Sequence, residues 1–449
     1  MPDKTYLTFN RGETDILRGL ADQLANAAAA DRNNKSRERW RRVNDLAPER
    51  PVVMCYAMPW NELGVGDELT LQCENPYPRS LETEFRRQLY MLRHMPMDMV
   101  VEPYIKCKAV VEDTGYGLKT DEYVLKTDET SAIGAHRYNS VINSMDDVEK
   151  LHPVTLRFDK EATEEVLETT KSIFNGIMDI KLVCLPDQER PHAPWDDFVH
   201  LMGAENVFTR IIDEPDMMLA LAKRYNELAV DRITQYEKLG ILTQNTDNSP
   251  IGSGGYGYTN DIPPTGVMPA GATFGNATPA GSAPVIAQAI GAPAGAVKAS
   301  DMWGSCKAQI FTSISPAMFD EFAVNCELDW LNRFALTYYG CCEALDDKID
   351  VLRKIKTLRK ISISAWADPY KAAEQIHGDF VYSYKPNPAL LATGALDETA
   401  VKKELETVVG AARKHNCSIE IIMKTLSTVG YNPQKLWRWA EIAREVAES

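Results

Sequence analysis

Three consecutive residues, Cys341-Cys342-Glu343, bring two thiols and a carboxylate together. Two soft thiolates and a carboxylate suit zinc once a further ligand arrives from elsewhere, and zinc there would act as a Lewis acid on the heteroatom of a bound substrate. A thiol at this position also has two plainer fates, as a nucleophile or as a small buried hydrophobe. Adjacent residues at a strand end tend to point in opposite directions, so Cys341 is expected to enter the pocket and Cys342 to face away. The nine cysteines are odd in number and widely spread. That distribution reads as reduced thiols and not as a disulfide framework.

Other candidates surround this run in the expected order of the chain. Asp247, after Thr243-Gln244-Asn245-Thr246, offers a general acid for a departing group, or a turn residue. Glu62 and Lys424 sit at the ends of apolar runs, where a charged side chain either works on a substrate or pairs with a neighbour. Lys385 and Lys424 have the chemistry of a carboxylate clamp. Trp60, Asn61, Tyr256, Trp366 and Tyr384 supply polar and aromatic surface for a methoxylated ring or a quaternary amine, although packing is the commoner fate of each aromatic taken singly. His377, before Gly378, reads as a helix stop.

These residues need a scaffold that gathers them. Short apolar, β-branched runs at 52–57, 99–105, 181–185, 241–245, 334–339, 361–364, 380–383 and 419–423 alternate with longer segments of helical periodicity. The helical segments are 81–94, 160–175, 195–201, 215–239, 316–333, 344–355, 368–376, 397–414 and 433–448. Eight such units predict a single α/β domain, a TIM (β/α)8 barrel over residues 50–449, preceded by a helical extension over 1–49. In a TIM barrel the chemistry lies at the C-terminal ends of the strands, where the candidates above fall. Residues 107–150 read as a polar, β-rich excursion. The stretch 249–297 is dense in Gly, Ala and Pro, follows an expected strand, and is expected to be a lid over the mouth. The basic run 35–44 reads as a solvated helix face.

Composition narrows the partners. A formal charge of −15 over 449 residues opposes non-specific binding to nucleic acid or an anionic membrane, both of which are polyanions. No run approaches 18 apolar residues, and the N-terminus lacks a secretory layout, so a cytoplasmic protein is expected. A small-molecule substrate is the expected ligand, and a homodimer is compatible with the sequence.

Several segments together resemble the uroporphyrinogen decarboxylase superfamily: the helix and strand over 37–53, Met202-Gly203-Ala204-Glu205-Asn206 followed by Asp213-Glu214-Pro215, and Ile314-Ser315-Pro316-Ala317-Met318-Phe319. In that last segment Ser315 is placed to cap a helix whose first residue is Pro316. The porphyrin decarboxylases of the superfamily carry an arginine-rich clamp after the first strand. Here the positions read Tyr56-Ala57-Met58-Pro59-Trp60-Asn61-Glu62, without arginine, which excludes a polycarboxylate porphyrin.

The chain is instead similar to the corrinoid-linked methyltransferase branch, whose members hold zinc with a His-x-Cys and a later cysteine. Cys341 keeps the cysteine position, Tyr339 stands at the histidine, and Lys424-Thr425-Leu426 stands where the last cysteine falls. Asp247 matches a pocket-facing aspartate. The resemblance implies methyl transfer from a methoxylated aromatic or a methylamine to a corrinoid carried in trans by a partner protein, with zinc as cofactor at an incomplete motif. The alternatives are a cofactor-free decarboxylase of a small aromatic acid, with Asp247 as proton donor, and a non-catalytic barrel that binds without chemistry.

Overall fold

The computed structural model describes residues 4–125, 135–189, 191–265 and 296–449. Among these residues eight strands pair in parallel: β1 (Val52–Cys55), β2 (Tyr104–Lys108), β3 (Asp179–Val183), β4 (Trp303–Cys306), β5 (Leu336–Tyr339), β6 (Leu358–Ser364), β7 (Val381–Lys385) and β8 (Ser418–Met423). Six of them form one sheet in the order β1-β8-β7-β6-β5-β4, and β2 pairs with β3. The order is consistent with a TIM-like arrangement. No closed ring of ladders forms among the described residues.

At the two breaks, side chains do the work of a ladder. Asp98 links the β1 side: its N–H donates to Val53 O at 2.9 Å, and its carboxylate accepts from Val53 N at 3.0 Å. Near β4, the Asn245 side-chain amide donates to Trp303 O and accepts from Trp303 N, both at 2.9 Å. This corrects the strand expected over 241–245, which is irregular. An amide side chain presents an N–H donor beside a carbonyl acceptor, as a peptide group does, so it can satisfy the edge of β4 without a strand. The neighbouring strand is Trp303–Cys306, which the apolar pattern did not mark.

Helices flank the sheet as expected: Arg11–Ala29 (α1), Asp31–Asn44 (α2), Pro76–His94 (α3), Lys160–Phe174 (α4), Pro215–Leu239 (α5), Glu398–Lys414 (α6) and Gln434–Glu448 (α7). Ser315 Oγ accepts from Met318 N, so the Ser-Pro helix start is capped, but a π turn over Phe319–Val324 interrupts the helix it opens. The excursion over 107–150 is β-rich, with Asp121–Leu125 paired to Ala135–Asn139. The basic run of α2 is not wholly solvated: Arg37 and Arg39 reach Glu102 and Asp98, each at 3.5 Å. None of the described helices is long and apolar enough to cross a membrane.

Strand alternation sorts the side chains. Lys360, Ser362 and Ser364 of β6 share one face with Ser383 and Lys385 of β7 and Glu420 of β8, while Tyr382 and Tyr384 turn to the helices. The inward face is polar because a segment of chain runs across it. Residues 249–258 are buried, apart from exposed Pro250 and Gly252, and their backbone groups find partners inside: Gly255 N donates to the Glu420 carboxylate at 3.1 Å, Gly254 O accepts from Tyr56 OH at 3.0 Å, and Tyr256 O accepts from Asn44 Nδ2 at 2.8 Å. Buried peptide groups must be paired, and here strand and helix side chains do it.

The stretch to which this strap belongs, expected as a lid, is described only in part. The described beginning of 249–297 is core, and residues 266–295 of it lie outside the described residues. The glycine spacing has a steric cause. A Cβ on Gly254 would stand 2.5 Å from the Glu420 carboxylate and the Tyr338 ring, and one on Gly255 would collide with Trp40.

Candidate active site at the end of the sheet

The interior is layered from below upwards. At the floor, Lys360 and Glu420 form an ion pair of 3.0 Å with both side chains fully buried. Glu420 also accepts from Ser383 Oγ at 2.6 Å. Burial works to raise the Glu420 carboxyl, and Lys360 and Lys385 outweigh it, leaving it below its ordinary range.

Above the floor, Lys385 Nζ donates to Ser383 Oγ at 2.7 Å and Tyr338 OH at 2.9 Å. Burial pulls Lys385 down to about 7; Glu420 opposes this and Lys424 adds to it. Ser364 pairs with Lys385 in register across the β6–β7 ladder. Its Oγ is buried and has no hydrogen-bond partner among the described residues.

At the mouth, β5 is followed by Gly340, whose φ of +101° turns the chain. A side chain there would press on Leu345 and Ser362, so the turn requires glycine. The turn places both following sulfurs on one side, with Cys341 Sγ and Cys342 Sγ 3.5 Å apart. The expectation that they diverge fails because these residues lie in a turn and no longer in a strand. Lys424 Nζ stands 3.9 Å from Cys341 Sγ and donates to Ser253 Oγ of the strap at 2.7 Å. The Cys342 thiol is the largest influence in lowering Cys341 well below the usual thiol range; burial opposes it, and Lys424, Ser253 and Lys307 reinforce it. Cys342 is correspondingly raised. Both shifts run in the direction of a thiolate on Cys341 that the Cys342 thiol hydrogen-bonds and Lys424 faces.

Glu343, expected as a metal ligand, is fully buried and bound to backbone: its carboxylate accepts from Cys341 N at 2.7 Å and Ala308 N at 3.3 Å. Burial pushes it up to about 7. Among the described residues no three His, Cys, Asp or Glu side chains converge as a metal site. With Lys424 beside the sulfurs and Glu343 committed to the backbone, this donor set does not fit zinc: a lysine ammonium occupies the electrostatic role of the cation.

The remaining candidates are placed elsewhere. Asp247 is held by Lys106 at 3.1 Å, Lys181 at 3.2 Å and Tyr104 OH at 2.9 Å. Burial would raise it, but the two lysines outweigh that and hold it far below the carboxylate range. Expected as a general acid, Asp247 is committed to these three partners and lies apart from the thiol pair. Glu62 accepts from Thr428 Oγ1 at 2.8 Å and Val429 N at 2.7 Å, so its carboxylate fixes the loop after β8. Trp60 packs against Tyr90 with Arg87 over its ring, and Asn61 is exposed. Tyr256 is strap core packed on Trp40, Trp366 is 69% exposed, and Tyr384 points outward, donating to Glu404 of α6 at 2.7 Å. None of these side chains joins the thiol pair, whereas Lys424 does and Lys385 is near enough to feel the charge of both sulfurs.

Sequence reasoning missed Lys360, Ser364, Ser383, Glu420, Tyr338 and Ser253. Their signal was present as period-two polarity, Lys360-Ile361-Ser362-Ile363-Ser364 and Ser418-Ile419-Glu420-Ile421, in strands read only as apolar. A cavity of about 260 Å³ lies on the other side of the strap, lined by Asp187, Asn245, Gly252, Trp303 and Ser305 among others. Gly252 lines that cavity, while Ser253 next to it accepts from Lys424.

No protein-family model matches the sequence, and no curated protein matches it. Among solved structures, a methyltransferase from Methanosarcina mazei aligns over 92% of this chain and 98% of its own, at 9% identity and a TM-score of 0.46.

Proposed function

We propose that this protein is an enzyme that moves a methyl group from a small methylated compound, with Cys341 as the first acceptor. The observation that carries this reading is the Cys341-Cys342 pair at the end of β5, charge-balanced by Lys424 and set above the buried Lys385. A thiolate stabilised in this way is present at neutral pH, and its low basicity also makes it a good leaving group when the methyl is passed on.

In the first half-reaction the Cys341 sulfur attacks the methyl carbon. The S–C bond forms as the bond from carbon to the donor's heteroatom breaks, and the electron pair stays on the heteroatom. Lys385, poised at about 7, supplies the proton that the leaving group takes. In the second half-reaction an external nucleophile takes the methyl, and Cys341 returns to the thiolate beside Lys424 and Cys342. A corrinoid on a separate protein, the partner the family resemblance implies, would supply a cobalt nucleophile for that role. The lysines and the unpartnered Ser364 hydroxyl favour an anionic oxygen donor, so a methoxylated aromatic acid suits the site better than a methylamine. The decarboxylase reading is less favoured because Asp247 is engaged by Lys106, Lys181 and Tyr104, and a barrel that only binds has no use for a thiolate among buried lysines.

The test is incubation of the protein with methoxylated benzoates and methylamines, followed by mass spectrometry of the peptide carrying Cys341. One added methyl on Cys341, absent in Cys341→Ser, is the expected result. No methylation, together with iodoacetamide labelling of Cys341 that rises only with an ordinary thiol pKa, overturns it.

A further inference from the structure

The two sulfurs that make Cys341 nucleophilic are also placed for redox chemistry. They share one side of the turn at 3.5 Å. Cys341 is 4% exposed while Cys342 is partly open. Lys424 stands beside Cys341, and the Glu343 carboxylate and Ser362 hydroxyl fix the Cys341 peptide at 2.7 and 2.6 Å. A buried thiolate with a second thiol in reach has the layout of a peroxide-reactive cysteine and its resolving partner. Adjacent Cα atoms are about 3.8 Å apart, shorter than the span of an ordinary disulfide, so a bond closed here is strained and easily reduced.

We propose that Cys341 and Cys342 form a reversible vicinal disulfide on exposure to hydrogen peroxide, which makes this turn a modification site that withdraws the nucleophile. Cys341 attacks one peroxide oxygen, the O–O bond breaks, and hydroxide leaves as water after taking a proton; Cys341 is then a sulfenic acid. Cys342 sulfur attacks Cys341 sulfur, the S–O bond breaks, and the departing hydroxide leaves as water with the Cys342 proton. The thiolate–thiol pair gives up one proton and two electrons, solvent supplies the second proton, and one peroxide becomes two waters. A dithiol reductant reverses the change by exchange. The proposal rests on the same sulfur pair as the methyl-transfer reading, but its readout is thiol oxidation and needs no methyl donor.

Cys326 provides an internal control. It is likewise partly exposed, but burial pushes its thiol up to about 12. Reduced wild-type protein is treated with limiting hydrogen peroxide and mapped by mass spectrometry. The expected product is loss of two hydrogens from the peptide carrying both cysteines, at least about tenfold faster than any change at Cys326, and reversed by dithiothreitol. In Cys342→Ser the reaction stops at the sulfenic acid, and dimedone labels Cys341. In Cys341→Ser, dimedone leaves Cys342 unlabelled at the same dose. Direct passage of wild-type Cys341 to sulfinic acid, or oxidation no faster than at Cys326, overturns the proposal. Disulfide formation without methylation by any donor leaves this inference standing and removes the other.

Discussion

Two buried charge clusters use the same residue types to opposite ends. Around Asp247, two lysines, a tyrosine and a backbone N–H converge on one carboxylate until it is saturated. Around Cys341, the anion is a shared thiolate, the Lys385 cation has been brought to about 7, and the Ser364 hydroxyl is left without a partner. The first cluster has no proton to move and no bond to offer. The second holds groups whose protons are near balance at neutral pH, which is the condition for acid–base and nucleophilic work. A carboxylate held far below its ordinary range is therefore a poor guide to chemistry when all its partners are already in place.

The largest effect should come from the floor of the second cluster. Glu420→Ala leaves fully buried Lys360 without its carboxylate, and breaking such a pair typically costs about 3–5 kcal/mol. Asp247→Ala should cost less, about 1–3 kcal/mol, because Lys106 and Lys181 are 26% and 38% exposed and can turn to water. Denaturant unfolding of both variants checks the order, and the reverse order would break the distinction between a sealed floor and a clamp at the rim.

The strap comes next. Gly255→Ala drives a methyl into Trp40 and should destabilise by about 1–3 kcal/mol, whereas a lid over solvent would tolerate it. Unchanged stability in thermal or denaturant melts would mean that 249–258 is not held inside.

The two clusters should also separate in thiol reactivity. Iodoacetamide labelling of Cys341 should remain fast at pH 6 and be unaffected by Asp247→Asn. In Lys424→Met it should slow several-fold, because the cation that steadies the thiolate is gone. Equal slowing in both variants would merge the clusters into one network.

The smallest effect is a slope in pH. Lys385 has a folded pKa of about 7 against an ordinary 10.5, so between these values the unfolded chain binds the extra proton. Its contribution is present above 10.5 and is lost as pH falls through about 7, and stability from this group rises with pH across that window. Lys385→Met should flatten the wild-type slope there, with Glu343, raised to about 7, giving the opposite slope between about 4.5 and 7. An unchanged slope in Lys385→Met would place the lysine's proton elsewhere.

Local pattern, by itself, determined most of the strand and helix succession, though not the strand Trp303–Cys306, and also the Ser315 cap before Pro316, the run Cys341-Cys342 as a candidate place for chemistry, and Lys385 and Lys424 at neighbouring strand ends. These follow from periodicity, capping and position after a strand, which depend on residues close in the chain. Tertiary structure alone decided the rest. Whether Tyr384 or Lys385 faces the interior depends on a one-residue alternation that end positions cannot fix. Asp247 is saturated by Lys106 and Lys181, more than 60 residues away. The glycines of 252–257 could be read as a flexible loop until Trp40, Tyr338 and Glu420 were seen to press on them. Glycine in a sequence records only that a side chain is missing, and only the packed interior says whether the missing atoms made room for motion or for a neighbour.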